Sequence, residues 1–246
     1  WELRGKYPRI LKDPTVGEEA KKLYADAQAM LAEFESNNAI SVSANGLVGL
    51  FAANTVNDDD IEVYSDESRT TVLQTINCLR QQRVFPDDRP NLCLSDFVAP
   101  KNSGLNDYIG TFAVTAGVGL DALVEQYDND NDIYKSIMAK ALADRLAEAF
   151  AEYLHKEVRT QLWGYSQDET LDNEQLIRER YRGIRPAPGY PANPDHRQKN
   201  AIWELIDPLD NAGISLTENL AMMPAASVSG FYFAHPDSRY FGLGKI

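Results

Sequence analysis

The sequence predicts an α+β fold, and three observations carry that prediction. Apolar runs fall into hairpin-like pairs, 47–53 with 61–64 and 227–235 with 239–246. Helical segments do not alternate strictly with those runs, which argues against a doubly wound parallel sheet. One long stretch, 133–162, keeps apolar residues at helical spacing throughout and is long enough to be the central packing element.

In chain order, Thr15 followed by Glu18 has capping-box spacing, and Leu23, Ala27, Met30, Leu31 and Phe34 then recur at helical intervals, predicting a helix over 16–34. LVGLFAA (47–53) reads as a buried strand and IEVY (61–64) as its antiparallel partner across the turn at Asp58, Asp59 and Asp60. Val72, Ile76 and Leu79 predict a helix over 67–83, closed by Pro86 and Pro90. YIGTFAVTAG (108–117), rich in β-branched and aromatic residues, predicts a strand. In the long helix over 133–162, Met138, Leu142, Leu146, Phe150, Leu154, Val158 and Leu162 form an i, i+4 ridge. AIWELI (201–206) reads as another helical face, and 227–235 with 239–246 as a closing hairpin across Pro236–Asp237. No internal repeat and no linker interrupts the chain, so a single domain is expected. Trp1 in first position and an end inside YFGLGKI suggest a module cut from a longer protein on both sides.

At 246 residues, 43% apolar and 25% charged, the chain can bury a sizeable core and does not have the composition of a disordered protein. No run reaches the roughly 18 apolar residues of a membrane span and WELRGKYPRI lacks a signal core, so a cytoplasmic protein is expected. Cys78 and Cys93, without secretory context, read as buried and reduced rather than paired. A net charge of −13 opposes binding to nucleic acid or an anionic membrane. Between Arg178 and Lys199, however, six positive side chains face two negative ones, a local excess of four.

Several chemistries are excluded by pattern. His155, His196 and His235 have no i, i+4 spacing and no CxxC accompanies them, so no metal site is expected. DNDND (128–132) imitates a calcium loop but has Ile133 and Ala139 where Gly and Glu belong, and reads as a solvated helix lead-in. Gly117 and Gly119 are a lone GxG, no GxxxxGK[ST] occurs, and Ser227 and Ser229 do not form a nucleophile elbow. The polar face of the long helix, with Asp144, Arg145, Glu148, Glu152 and His155, reads as a solvated stripe, although a carboxylate there could face the segment that follows.

That segment, RGIRPAPGYPANPDH (182–196), packs four prolines and two glycines around Arg185. Proline fixes φ and removes a donor, so the stretch is stiff and leaves carbonyls without internal partners. It reads either as a rigid connector or as a preorganised cradle. A zwitterionic, sulfonium-bearing ligand would want an arginine for its carboxylate, a glutamate for its ammonium, and carbonyls and aromatic faces for its cation and purine.

The same segment, with ALADRLAEAFAEYLH (141–155), LTENLAMMPAASVSGFYFAHPDSRYF (216–241), DDIEVY (59–64) and SDFVAPKNSG (95–104), closely resembles the C-terminal activation domain of cobalamin-dependent methionine synthase, over residues 1–246. The resemblance implies a twisted antiparallel sheet flanked by helices and a module that binds S-adenosylmethionine. It implies reductive methylation of cob(II)alamin to methylcobalamin, with cobalamin carried by a neighbouring domain and one electron supplied by flavodoxin or a flavin reductase. Matched to the family, Arg185 would clasp the methionyl carboxylate, Ala187, Gly189 and Tyr190 would approach through the backbone, Tyr240 and Phe241 would supply aromatic contacts, and Glu148 and Glu179 would lie near the site. No catalytic acid or base and no metal ligand is implied. The family's upstream aspartate, in a DWTPFF-like stretch, has no counterpart in residues 1–246, and Asn193 stands where many members have Cys. The competing reading is a docking module for a flavodoxin-type partner, attracted by the local positive excess, without retained ligand binding.

Overall fold

The computed structural model describes residues 1, 3–36, 42–87 and 89–244. Along the chain come α1 (Gly17–Ser36), β1 (Ser43–Val56), β2 (Asp60–Tyr64), β3 (Val72–Asn77), β4 (Asp107–Val118), α2 (Leu120–Asn129), α3 (Ile133–Glu157), α4 (Asn173–Ile177), α5 (Gln198–Ile206), α6 (Pro208–Ala212), the short β5 (Ser215–Leu216) and β6 (Met222–Met223), and β7 (Ser227–Tyr232). Strands β3, β2, β1, β4 and β7 lie in that order in one five-stranded sheet, every neighbour antiparallel. The α+β class is what the hairpin-like pairing predicts. Among the described residues no helix is long and apolar enough to cross a membrane.

The β1–β2 hairpin forms as expected, with Ala53 opposite Val63 and Val56 opposite Asp60. Asn57 and Asp58 in its turn both take positive φ, 51° and 65°, a conformation that short polar side chains tolerate and that suits the twist of a hairpin. β4, an interior strand between β1 and β7, is buried along nearly its whole length, because both sheet faces are covered. On one face Ile109, Ala113, Phe231 and Phe233 pack with Ile61, Val63, Ile202 of α5 and Leu94–Val98. On the other, Phe112, Val114 and Tyr232 meet Ala151 of α3 and Val158 just beyond it. This alternation is the period of two that places successive strand residues on opposite faces. Each fully buried large side chain contributes about 1.5–3 kcal/mol relative to exposure.

Four expectations need correction. The segment 67–83 is not helical but contains β3; a four-residue spacing fits a regular strand as well as a helix, pairing with β2 decides for the strand, and a register shift between Val72 and Gln74 leaves Ile76 buried and Val72 exposed. Residues 239–244 form no strand, because the outer edge of β7 is already occupied; they run instead against 81–83, with Gln82 N–H donating to Leu243 O (2.8 Å). Residues 245–246 lie outside the described residues. Third, the expected ridge of α3 is only partly inward: Met138 and Val158 are buried and Leu142, Phe150 and Leu154 half-buried against the core, but Leu146 and Leu162 are exposed, and the innermost row is Ala139, Ala143, Ala147, Ala151 and His155. Small side chains allow the helix backbone to approach the sheet closely. Fourth, α1 starts not on a Thr15 cap but on Asp13, whose Oδ1 accepts from Thr15 and Val16 N–H. α2 and α6 occupy stretches where the pattern assigns no element. The DNDND stretch does lead into a helix, Asp132 capping α3 by accepting from Lys135 N–H (3.0 Å). Cys78 and Cys93 are buried and free.

Candidate functional site

The proline segment lies along the outer edge of β7. Ile184 exchanges two backbone hydrogen bonds with Phe233, both 3.0 Å, and Pro186 O accepts from Phe231 N–H at 3.0 Å. Pro186 has no N–H to return, so the ladder ends there and the chain turns away; an edge is where a strand tolerates proline. Between these anchors the backbone N–H of Arg185 points outward and donates to the Tyr240 hydroxyl (3.0 Å). Gly230 makes the seating close, since a methyl there would lie 2.6 Å from Pro186 O.

Beyond Pro186 the chain closes on itself. Gly189 N–H donates to Asn193 O (2.7 Å), Tyr190 N–H to Ala187 O and Asn193 N–H to Tyr190 O. Gly189 has φ +98°, and a Cβ on it would meet the His196 ring at 2.3 Å, so only glycine serves at this position. The carbonyls of Pro186, Ala187, Tyr190 and Asn193 are thus spent internally, which corrects the expectation that prolines would leave them all open.

The turn walls a cavity of about 550 Å³. Glu148 of α3, Glu179, Arg185, Ala187, Tyr190, Tyr240 and Phe241 line it, with Phe112 of β4 and Val228 of β7 among the remaining walls. Of the predicted site residues only Gly189 stays outside the lining; it shapes the turn. Phe112 and Val228 were missed by the sequence reading, although the alternation along their strands already places both on one sheet face. A larger cleft of about 730 Å³ lies beside the β1–β2 turn, but its cationic walls are already paired: Arg80 with Asp96 in the same wall and with Asp59 outside it, and Lys101 with Glu62, also outside it.

The supposed solvated stripe of α3 is in part the back wall of the site. Glu152 Oε2 lies 2.8 Å from Arg185 Nη2, and Arg185 Nη1 donates to the Tyr181 hydroxyl at 2.7 Å. Behind them His155 is fully buried, its ring stacked on Tyr232 (5.1 Å between centroids) and edge-on to Tyr181 (5.0 Å). Burial, reinforced by the charges of Arg159 and Arg185, holds its pKa well below the usual 6.5, so the ring is neutral. Arg159, in the π turn Val158–Leu162 that ends α3, grips Glu169 through two 2.7 Å bonds and lies 4.0 Å over the Tyr181 ring. Burial likewise pushes the Tyr181 hydroxyl up, keeping it a neutral acceptor for Arg185.

The basic island is weaker in space than along the chain. Arg178 pairs with Glu174, Arg185 with Glu152 and Arg197 with Asp195, while Lys199 is buried and donates to Leu220 O. Among the described residues, no group of three or more His, Cys, Asp or Glu side chains could hold a metal ion.

Comparison with known proteins agrees with this architecture. The family described as vitamin B12 dependent methionine synthase, activation domain, matches residues 1–246. The crystal structure of the MetH reactivation domain bound to AdoHcy superposes with a TM-score of 0.95 at 55% sequence identity, covering 100% of this chain and 74% of that one.

Proposed function

Because the chain belongs to the activation-domain family of vitamin B12-dependent methionine synthase, we propose that its 550 Å³ cavity binds S-adenosylmethionine. One observation carries the reading: residues far apart in sequence, Glu148, Glu179–Tyr190 and Tyr240–Phe241, converge on a single cavity. The similar structure bound to AdoHcy supports a ligand of this class.

The donor set suits such a ligand. Arg185 keeps N–H donors beyond the two spent on Glu152 and Tyr181, and they take the methionyl carboxylate. Glu148 and Glu179 set negative charge in the walls to face the ammonium, and Tyr190, Tyr240 and Phe241 offer ring faces to the sulfonium and the purine. The stiff turn reduces the freedom lost when the ligand docks. S-adenosylmethionine supplies the methyl group that restores oxidised cobalamin, carried on a neighbouring domain of the full enzyme, to its methylated form after one-electron reduction by flavodoxin or a flavin reductase. The chain's own part is positional, with no acid or base required; correct placement is worth about 7–11 kcal/mol in favourable cases.

Calorimetric titration with S-adenosylmethionine tests the site. Arg185→Ala weakens binding several-fold or more, and unchanged affinity rejects the clasp.

A further inference from the structure

We propose that Glu152 is a positioning residue for carboxylate recognition, holding the Arg185 guanidinium in the orientation that meets the ligand; this rests on the clasp described above. Glu152 lies one helical turn beyond Glu148 on α3, yet unlike Glu148 it is not in the cavity wall. It touches the site through Arg185.

The geometry is that of a two-point mount. Glu152 holds Nη2 at 2.8 Å and the Tyr181 hydroxyl holds Nη1 at 2.7 Å, and contacts on both terminal nitrogens define the guanidinium plane. Tyr181 is itself immobilised, with Arg159 over its ring and His155 against its face. At the other end of the residue the Arg185 backbone N–H is tied to Tyr240. An arginine side chain left free loses rotamer entropy when it is ordered. Here the fold has ordered it beforehand, with side-chain exposures of 18% for Arg185 and 28% for Glu152.

A second observation separates positioning from mutual neutralisation. Glu152 Oε1 is buried and has no hydrogen-bond partner, so the carboxylate engages through one oxygen only and is not itself well satisfied. A charge held there also repels an incoming carboxylate, so electrostatic attraction is not what Glu152 contributes to binding. What it contributes is an oxygen held 2.8 Å from Nη2, a position that a neutral amide oxygen can also occupy.

The test uses this chain with S-adenosylmethionine and its decarboxylated analogue, which keeps the sulfonium and ammonium. Glu152→Ala weakens S-adenosylmethionine binding about fivefold or more and leaves the decarboxylated analogue within twofold. Glu152→Gln, which keeps an oxygen at that position, recovers most of the loss, and its melting temperature checks that the fold is intact. Unchanged or tighter binding by E152A, equal weakening for both ligands, or E152Q as weak as E152A would each overturn the proposal. Arg185→Ala run alongside distinguishes the failures: if it weakens S-adenosylmethionine while E152A does not, only the positioning role falls, and if neither does, the clasp falls with it.

Discussion

Arg80 and Arg185 have similar immediate surroundings and different opportunities. Both are largely buried, 28% and 18% exposed, and both hold a carboxylate at 2.8 Å. Arg80 spends every nitrogen: Nε on Asp59, Nη1 on Asn91 O and Asp96, Nη2 on Asp58 O and Asp96. It fastens the β1–β2 turn to the 91–96 segment, and the 730 Å³ cleft beside it has no open donor from this side chain. Arg185 has one partner on each terminal nitrogen and lines a smaller cavity. The proposed ligand site is thus the cavity with unspent donors on a fixed frame, not the larger cleft.

The frame around Arg185 is the strongest point at which to break that contrast. Glu169→Ala leaves Arg159, 0% exposed, buried without its counter-ion, and costs about 3–5 kcal/mol in denaturant unfolding. A loss near zero would show that Tyr181 is not braced from behind. Next comes Gly230→Ala, whose methyl would press on Pro186 O at 2.6 Å. It lowers stability by about 1–3 kcal/mol and weakens ligand binding with it; stability and affinity both unchanged would mean that the proline segment is not seated on β7 as described.

Arg80→Ala sharpens the comparison directly. It costs about 1–2 kcal/mol of stability and leaves S-adenosylmethionine affinity unchanged, whereas Arg185→Ala changes affinity far more than stability. Finally, pH probes the buried histidine behind the site. His155 has a folded pKa depressed below 6.5, so the unfolded chain takes up the proton first. Its contribution to stability is complete above pH 6.5 and is lost as pH falls below it, at about 1.4 kcal/mol per pH unit until the folded pKa is reached. Urea unfolding between pH 7.5 and 5 shows this slope reduced in His155→Phe; an identical slope assigns the effect to other groups.

The residues of the proposed site came from the resemblance to the activation-domain family; local chemistry by itself pointed only to a stiff turn beside an arginine. The turn 182–196 carries its stiffness in its prolines, and Arg185, Ala187 and Tyr190 come with it. Tyr240 and Phe241 were reached only through the resemblance, and the strand expected to carry them is absent. Glu152 and His155 were not legible as part of the site. At helical spacing they look like the exposed neighbours of Asp144 and Arg145, and nothing local says that Arg185 and Tyr232 lie opposite them. The alanine row of α3 was hidden for a related reason: apolar patterning favours leucine, while the sheet selects the side chains small enough to let a helix come close.

What the sequence determined by itself was the α+β class, the β1–β2 hairpin with an acidic turn around Asp58 and Asp59, the long helix and the stiff turn, all set by period, turn chemistry and the fixed φ of proline. Tertiary structure decided which strand edge the turn would occupy, and hence that 239–244 could not pair there, that 72–77 would join the sheet, and that Arg185 would be held by Glu152 and Tyr181. Hydrogen-bond partners and burial are properties of surfaces brought together from distant segments, and no window of neighbouring residues contains both halves of such a contact.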